Sequence, residues 1–347
     1  MKYNSLGNTG LYVSELCLGA MTFADPNSPM GQMLGGTGQE LATRMVDLAL
    51  DAGVNIIDTA NVYAFGQSEE MLAKALGPRR KDVVVATKFF TPMGAGPNAL
   101  GGSRLAIMRE VEDSLRRLNT EWIDLYQIHG FDHTTPLEET LKALDDLVRQ
   151  GKVRYIGLSN FAGWQIAKAD GIARHLGTER FCSTQSYYSL VGRELEQEIL
   201  PAVRDLGLGT MVWSPLAGGF LTGKFTREGA GEGRRKVFDF PPVDLEQGYR
   251  IVDELTAIAA ARDASPAQIA LAWVRMQDGV TTTIIGASKE HQLVANLASV
   301  DIELTADELA KLDAASALAP KYPYWMPRMN RGDDLFAHFK EAGAPQS

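Results

Sequence analysis

The sequence predicts an α/β protein: a (β/α)8 TIM barrel with an N-terminal β-hairpin and a C-terminal extension. Three observations carry that expectation. Short apolar runs alternate with amphipathic helical stretches from residue 15 to residue 300. There are eight such runs, near 15–20, 53–58, 82–88, 122–129, 153–159, 181–185, 208–213 and 281–286, spread over the length such a barrel needs. A doubly wound sheet would carry a glycine fingerprint after its first strand, but Gly35-Gly36-Thr37-Gly38 follows a polar loop instead.

In chain order, Lys2 to Val13 reads as a hairpin turning near Gly7–Gly10, a lid for the barrel's amino-terminal end. Ser103 to Leu118 has apolar residues at helical spacing. Pro136 suits the first turn of the next helix, with Thr135 as candidate N-cap and Gly151 as its stop. Ser265-Pro266 opens a further helix with the same chemistry. Three segments fit no barrel unit: 24–38, 226–245 and the tail 316–347. Insertions of this kind either shape the entrance to a site or are plain surface. No linker divides the chain, so residues 1–347 read as one domain with the barrel at about 15–300.

Of the 347 residues, 45% are hydrophobic and 22% charged, ordinary globular composition with material for a large core. A net charge of −9 argues against nucleic acid or anionic membrane as partner. The two cysteines, Cys17 and Cys182, lie in apolar segments and read as buried free thiols. The first residues lack a signal-peptide core, and no apolar run approaches the roughly 20 residues of a membrane span. A cytoplasmic location is expected.

Chemistry is concentrated in Asp58, Tyr63, Lys88 and His129, each at or just past the end of a strand-like run. The carboxyl ends of parallel strands form the active face of an α/β barrel. A phenol, with a reference pKa of about 10, is a poor acid near neutrality unless a nearby cation favours the phenolate. Lys88 supplies that cation for Tyr63, Asp58 holds the lysine, and His129 adds a hydrogen bond. Together they make a general acid for a carbonyl oxygen that becomes negative as hydride reaches carbon. Taken singly, the aspartate can be a helix cap, the lysine solvated, and the tyrosine or histidine core; their joint placement is what speaks for a site. His129 and His133 lie four apart, but Pro136 puts them ahead of a helix and no third ligand recurs, so no metal is expected.

The segments Gly53 to Tyr63, Ala86-Thr87-Lys88, Asp124 to His129, Ile156 to Phe161, Trp213 to Gly219 and Ile285 to Ser288 resemble the signature segments of the aldo-keto reductases. The likeness is collinear from about residue 3 to residue 315. Leu6-Gly7-Asn8-Thr9-Gly10-Leu11 and Gly218 to Lys224 resemble a bacterial subgroup related to the β-subunits of voltage-gated potassium channels.

The resemblance implies NADP(H)-dependent reduction of aldehydes or ketones to alcohols, or the reverse oxidation, with a small-molecule carbonyl or alcohol as substrate. It implies Tyr63 as proton donor, Lys88 and Asp58 as its tuning pair, and His129 as the residue that orients substrate. It also implies a cofactor laid across the barrel mouth without a glycine-rich phosphate loop. Ser159, Asn160 and Gln185, beside Asp58, would bind the carboxamide, for which hydroxyl and amide groups supply both donors and acceptors. Trp213 would stack on the ring. Leu216, Gly218 and Lys224 would meet the pyrophosphate, Ser214, Pro215 and Gly286 are further cofactor-binding positions, and Met21 either lines the same cleft or packs in the core. Ser288, Lys289, Gln292 and Asn296 would hold the adenosine end, with Lys289, and Arg234 or Arg235, near a 2′-phosphate. Gln292 and Ala295 stand where many relatives carry arginine and glutamate, so NADP is favoured and NAD stays open. A cofactor-bound regulatory subunit with incidental reductase activity is the alternative, and oligomerisation is open. Phe23, Phe89, Phe90, Tyr324 and Trp325 are expected to line an apolar substrate pocket.

Overall fold

The eight apolar runs become strands of one closed, all-parallel barrel, preceded by a two-stranded hairpin. The computed structural model describes residues 1–227, 229, 235 and 238–326. The hairpin strands are β1 (Tyr3–Ser5) and β2 (Tyr12–Ser14). The barrel follows in chain order: β3 (Leu16–Gly19), β4 (Ile56–Asp58), β5 (Val84–Phe89), β6 (Ile123–Ile128), β7 (Val153–Ser159), β8 (Ser183–Tyr187), β9 (Gly209–Trp213) and β10 (Thr282–Ile285). Pairing of β10 with β3 closes the circle. The helices are α1 (Pro29–Leu34), α2 (Gly38–Asp51), α3 (Gln67–Leu76), α4 (Arg104–Arg117), α5 (Leu137–Arg149), α6 (Gly163–Leu176), α7 (Ile199–Leu206), α8 (Leu245–Ala261), α9 (Pro266–Arg275), α10 (Glu290–Leu297) and α11 (Ala306–Ser316). Contacts group Met1–Ser316 into one compact unit.

Side chains alternate between two environments. Outward-facing residues such as Leu16, Ile57, Val85, Tyr126 and Ile128 pack with the helices. Inward-facing Cys17, Ile56, Ala86, Leu125 and Met211 form a separate apolar layer at the amino end, which Leu6 and Val13 of the hairpin complete. The hairpin is therefore a plug. Full burial of Leu6 contributes about 2 kcal/mol. Gly7, at φ +62°, lets the turn press so close that an added Cβ would sit 2.5 Å from the Cys182 carbonyl. Asn8 N donates to Gly207 O at 2.8 Å, and Ser14 N to Asn55 Oδ1 at 2.7 Å. All these partners lie at amino ends of barrel strands, so the opposite end is left for chemistry.

Local differences from the sequence reading have physical causes. The 53–58 run becomes a strand only from Ile56, because Gly53, at φ +86°, closes α2 and Val54 N returns to Ala49 O. Thr135 is not the N-cap of α5: Asp132 Oδ1 takes the amides of Thr134 and Thr135, and Pro136 occupies the cap position. Ser265 does cap α9, with Gln268 reciprocating in a capping box. Segment 24–38 contains α1, begun by Ser28 and ended by left-handed Gly35. Phe23 and Phe89 do not line a pocket; both are fully buried, and Phe89 stacks on Tyr126 at 4.8 Å on the outer side of the barrel.

Candidate active site

At the carboxyl end of the barrel the apolar interior gives way to a buried polar layer. Asp58 ends β4 and Lys88 lies in β5, with Cα register pairing Asp58 to Ala86 and Lys88 to Gln127 of β6. The Lys88 ammonium is fully buried. It donates to Asp58 Oδ2 at 2.6 Å and to Thr59 O at 2.8 Å, and it hydrogen-bonds the Tyr63 hydroxyl. Three donors thus meet three acceptors. Burial works against the ammonium, but the Asp58 charge and the Tyr63 oxygen outweigh it and raise the Lys88 pKa above its ordinary 10.5. Asp58 Oδ1 accepts from Gln185 Nε2 at 2.7 Å and Gln127 Nε2 at 3.2 Å, so the carboxylate is held on both oxygens.

Tyr63 reaches this layer because residues 59–61 run along β5 after β4 ends, and a turn then closes from Tyr63 N to Ala60 O at 3.2 Å. Thr59 N donates to Ala86 O and Asn61 N to Lys88 O, extending the ladder past the strand. The chain then turns back through Ala64 and Phe65, both left-handed at φ 49° and 54°. Such strain costs on the order of 1–3 kcal/mol per residue and fixes where the phenol points. The Tyr63 ring centroid lies 5.1 Å from Lys88 Nζ.

His129 follows β6 and meets the Tyr63 ring edge-on at 5.9 Å. Its Nδ1 is buried without a hydrogen-bond partner among the described residues. Burial first, then the Lys88 charge, pushes its pKa down to about 3. The imidazole is neutral at physiological pH. His133 is elsewhere, with its ring 4.9 Å from Phe131.

The structure links the expected nicotinamide-end residues to this centre. Ser159 Oγ donates to the Gln185 carbonyl at 2.9 Å. Asn160, left-handed at φ 59°, donates from Nδ2 to His129 O at 2.9 Å and accepts Trp213 Nε1 on Oδ1 at 3.1 Å. The Trp213 ring is stacked with Phe240 at 5.7 Å and tilted against Tyr187 at 5.0 Å. After β9 the chain turns tightly: Ser214 and Ala217 are left-handed, and Ser214 Oγ accepts from Gly218 N at 3.2 Å. Gly218 is required here, because an added Cβ would stand 2.5 Å from the Phe240 carbonyl. Pro215 is buried, Leu216 half-buried and Lys224 exposed.

A second cluster follows β10. Ser288 N and Oγ donate to Gln292 Oε1 at 3.1 and 3.3 Å, and buried Asn296 donates to Gly286 O at 3.3 Å. Lys289 is exposed at the N-cap of α10. Met21, just past β3, is half-buried. Arg234 lies outside the described residues. Arg235 does not fold over the adenosine end: it is buried, donating to Ala217 O and Pro241 O and paired with Asp239 at 2.6 Å.

Gln127 escaped the sequence reading. It sits two residues before His129 in β6, and the two-residue period of a strand puts both on the same face, so the signal was present. Among the described residues there is no group of three or more His, Cys, Asp or Glu placed to hold a metal. Nor, among them, is any helix long and apolar enough to cross a membrane.

Comparison with known proteins places this geometry in a family. The model of the aldo/keto reductase family matches residues 15–317. The chain is 40% identical to the uncharacterized oxidoreductase YrpG of Bacillus subtilis, over 90% of this chain and 95% of that protein. It is 37% identical to a probable voltage-gated potassium channel subunit beta of Oryza sativa subsp. japonica, over 92% and 98%. It is 32% identical to versiconal hemiacetal acetate reductase of Aspergillus parasiticus, over 90% and 96%. The chain belongs to the aldo/keto reductase family and is an NAD(P)H-dependent oxidoreductase.

Proposed function

We propose that this protein reduces aldehydes or ketones to alcohols with NADPH, and runs the reverse oxidation, with Tyr63 as general acid and base. One observation carries the reading: a fully buried ammonium whose protons are shared among a carboxylate, a backbone carbonyl and the Tyr63 hydroxyl. When bound, the reduced nicotinamide supplies hydride to the carbonyl carbon. As negative charge grows on the carbonyl oxygen, the Tyr63 hydroxyl gives up its proton to it. The phenolate left behind faces Lys88, which stabilises it, and Asp58 keeps the lysine in place. His129 is neutral and so is a poor acid near pH 7, which leaves it the role of hydrogen-bonding and orienting the substrate.

The residues present fit the cofactor. Cβ atoms added at Gly219 and Gly286 would have no heavy atom within 4 Å, so open backbone is presented beside the proposed pyrophosphate and adenosine positions. Ser159, Asn160, Gln185 and Trp213 would hold the nicotinamide end. Ser214, Leu216, Gly218 and Lys224 would hold the pyrophosphate, and Ser288, Lys289, Gln292 and Asn296 the adenosine. The exposed cation of Lys289 at a helix N-terminus supports a 2′-phosphate there, hence NADP over NAD.

The test is steady-state turnover. The purified protein should oxidise NADPH when given an aromatic aldehyde, and Tyr63→Phe should abolish this while cofactor binding persists. Unchanged turnover in Tyr63→Phe removes the donor assignment. The likeness to a protein named as a channel β-subunit supports a second reading, a cofactor-bound regulatory subunit with incidental activity. A kcat far below the ordinary range of about 1–10³ s⁻¹ across a broad carbonyl panel would favour it.

A further inference from the structure

Behind the site, on the outer side of the barrel, α3 and α4 bury polar groups where apolar ones are expected. On α4, Glu110, Ser114 and Arg117 fall at i, i+4 and i+7, the spacing of a core-facing stripe. Glu110 and Ser114 are buried, as is Glu69 of α3, which is fully enclosed. Their hydrogen bonds run to the two segments that carry the proposed chemistry. Asn61 Nδ2 donates to Glu110 Oε2 at 2.8 Å, and the Asn61 backbone N–H donates to the Lys88 carbonyl at 3.1 Å. Thr87, immediately before Lys88, donates to Glu69 Oε1 at 2.6 Å. The other oxygen of Glu69 accepts Arg117 Nε at 2.6 Å. Arg117 in turn lies against the loop after Tyr63, where a Cβ on left-handed Gly66 would stand 2.5 Å from its Cδ.

We propose that these groups form a positioning brace that holds Tyr63 against Lys88, with the Asn61–Glu110 hydrogen bond as its key member. The proposal rests on Tyr63 being the proton donor. None of the brace residues is offered as touching substrate or cofactor. Stability alone gives little reason for the arrangement, because apolar residues of the same shape often replace buried ion pairs without loss. What apolar packing lacks is direction. Hydrogen bonds at Asn61 and Thr87 fix the backbone on either side of the Lys88–Tyr63 contact, and displacements of about 1 Å in such a site can cost about 100-fold in rate.

The experiment compares Asn61→Ala, Glu110→Ala and Glu110→Gln in the full-length protein, with Tyr63→Phe assayed in parallel. Glutamine keeps an acceptor for Asn61, so Glu110→Gln should retain near-normal turnover. The two alanine variants should lose about 10- to 100-fold in kcat, with cofactor affinity unchanged by fluorescence titration. They should also move the alkaline limb of the kcat–pH profile for reduction upward, because the phenol has lost part of its contact with the ammonium. Unaltered kcat in Asn61→Ala overturns the brace. So does a loss accounted for by lowered cofactor affinity or by the unfolded fraction in a melting curve. Full turnover in Tyr63→Phe would instead sink the donor assignment, a result that can be told apart from either of these.

Discussion

The two ends of the proposed site are fastened by different means. Around Asp58 the polar groups Lys88, Gln127 and Gln185 are all buried and bond to one carboxylate from three different strands. Beyond β10, Ser288 and Gln292 are half-buried, Lys289 is exposed, and Glu290 engages Arg44 at the surface at 3.2 Å. The first arrangement belongs to the barrel and cannot change without disturbing its interior. The second is a surface loop and helix end, free to differ without cost to the fold. In the proposed function the chemistry would thus be built into the core, and the choice of cofactor would lie on the rim.

The largest effect should come from breaking the buried end. Lys88→Met removes the cation beside Tyr63 and is expected to lower kcat by about 10²- to 10⁴-fold. It also leaves Asp58 charged and without its ammonium partner, a change that costs about 3–5 kcal/mol. Adding Asp58→Asn should recover much of that stability in denaturant unfolding but none of the turnover. Recovery of both would mean that the ammonium is dispensable to the chemistry.

His129 supplies a pH-dependent contrast. Its pKa is lowered from 6.5 to about 3 in the folded protein, by burial and then by Lys88. Between those values the unfolded chain binds a proton that the folded one refuses. Stability is therefore complete above about pH 6.5 and declines as pH falls toward 3, by up to about 1.4 kcal/mol per unit from this group. The wild-type minus His129→Asn stability difference should therefore shrink steadily as pH falls through that window. A constant difference from pH 7 to pH 4 would show that the imidazole is not held neutral.

A smaller effect is expected where the barrel interior admits no added atom. A Cβ on Gly157 of β7 would stand 2.8 Å from Ser183 Oγ and 3.0 Å from Gln127 Cγ. Gly157→Ala should cost about 1–3 kcal/mol by overpacking and lower kcat several-fold by pushing Gln127 off Asp58. If stability falls while kcat holds, Gln127 is not needed to hold the carboxylate.

What the sequence disclosed follows the same division. The barrel was legible because parallel strands buried on both faces read as short apolar runs, and all eight were placed to within three residues. Asp58, Tyr63, Lys88 and His129 were legible because polar residues that end such runs stand out, and they do converge. Phe23 and Phe89 misled because an aromatic at or just past a strand looks the same in sequence whether it faces the mouth or the helices. Glu69 and Glu110 were hidden for the opposite reason. A glutamate in an amphipathic helix reads as surface, and only packing shows that its face is turned inward.

The smallest predicted effect tests the rim. Lys289 is exposed, so its contact with a 2′-phosphate would be solvated and screened by salt, worth about 1 kcal/mol. Lys289→Met should raise KM for NADPH about fivefold, leave kcat unchanged and leave KM for NADH unchanged. The gap from wild type should narrow as ionic strength increases. An equal rise for both cofactors would move Lys289 from the 2′-phosphate to some part the two share, and Arg234 would become the next cation to test for discrimination. A rise confined to NADPH would separate the two ends of the site, because a rim charge would then alter cofactor choice without reaching the buried ammonium proposed to govern turnover.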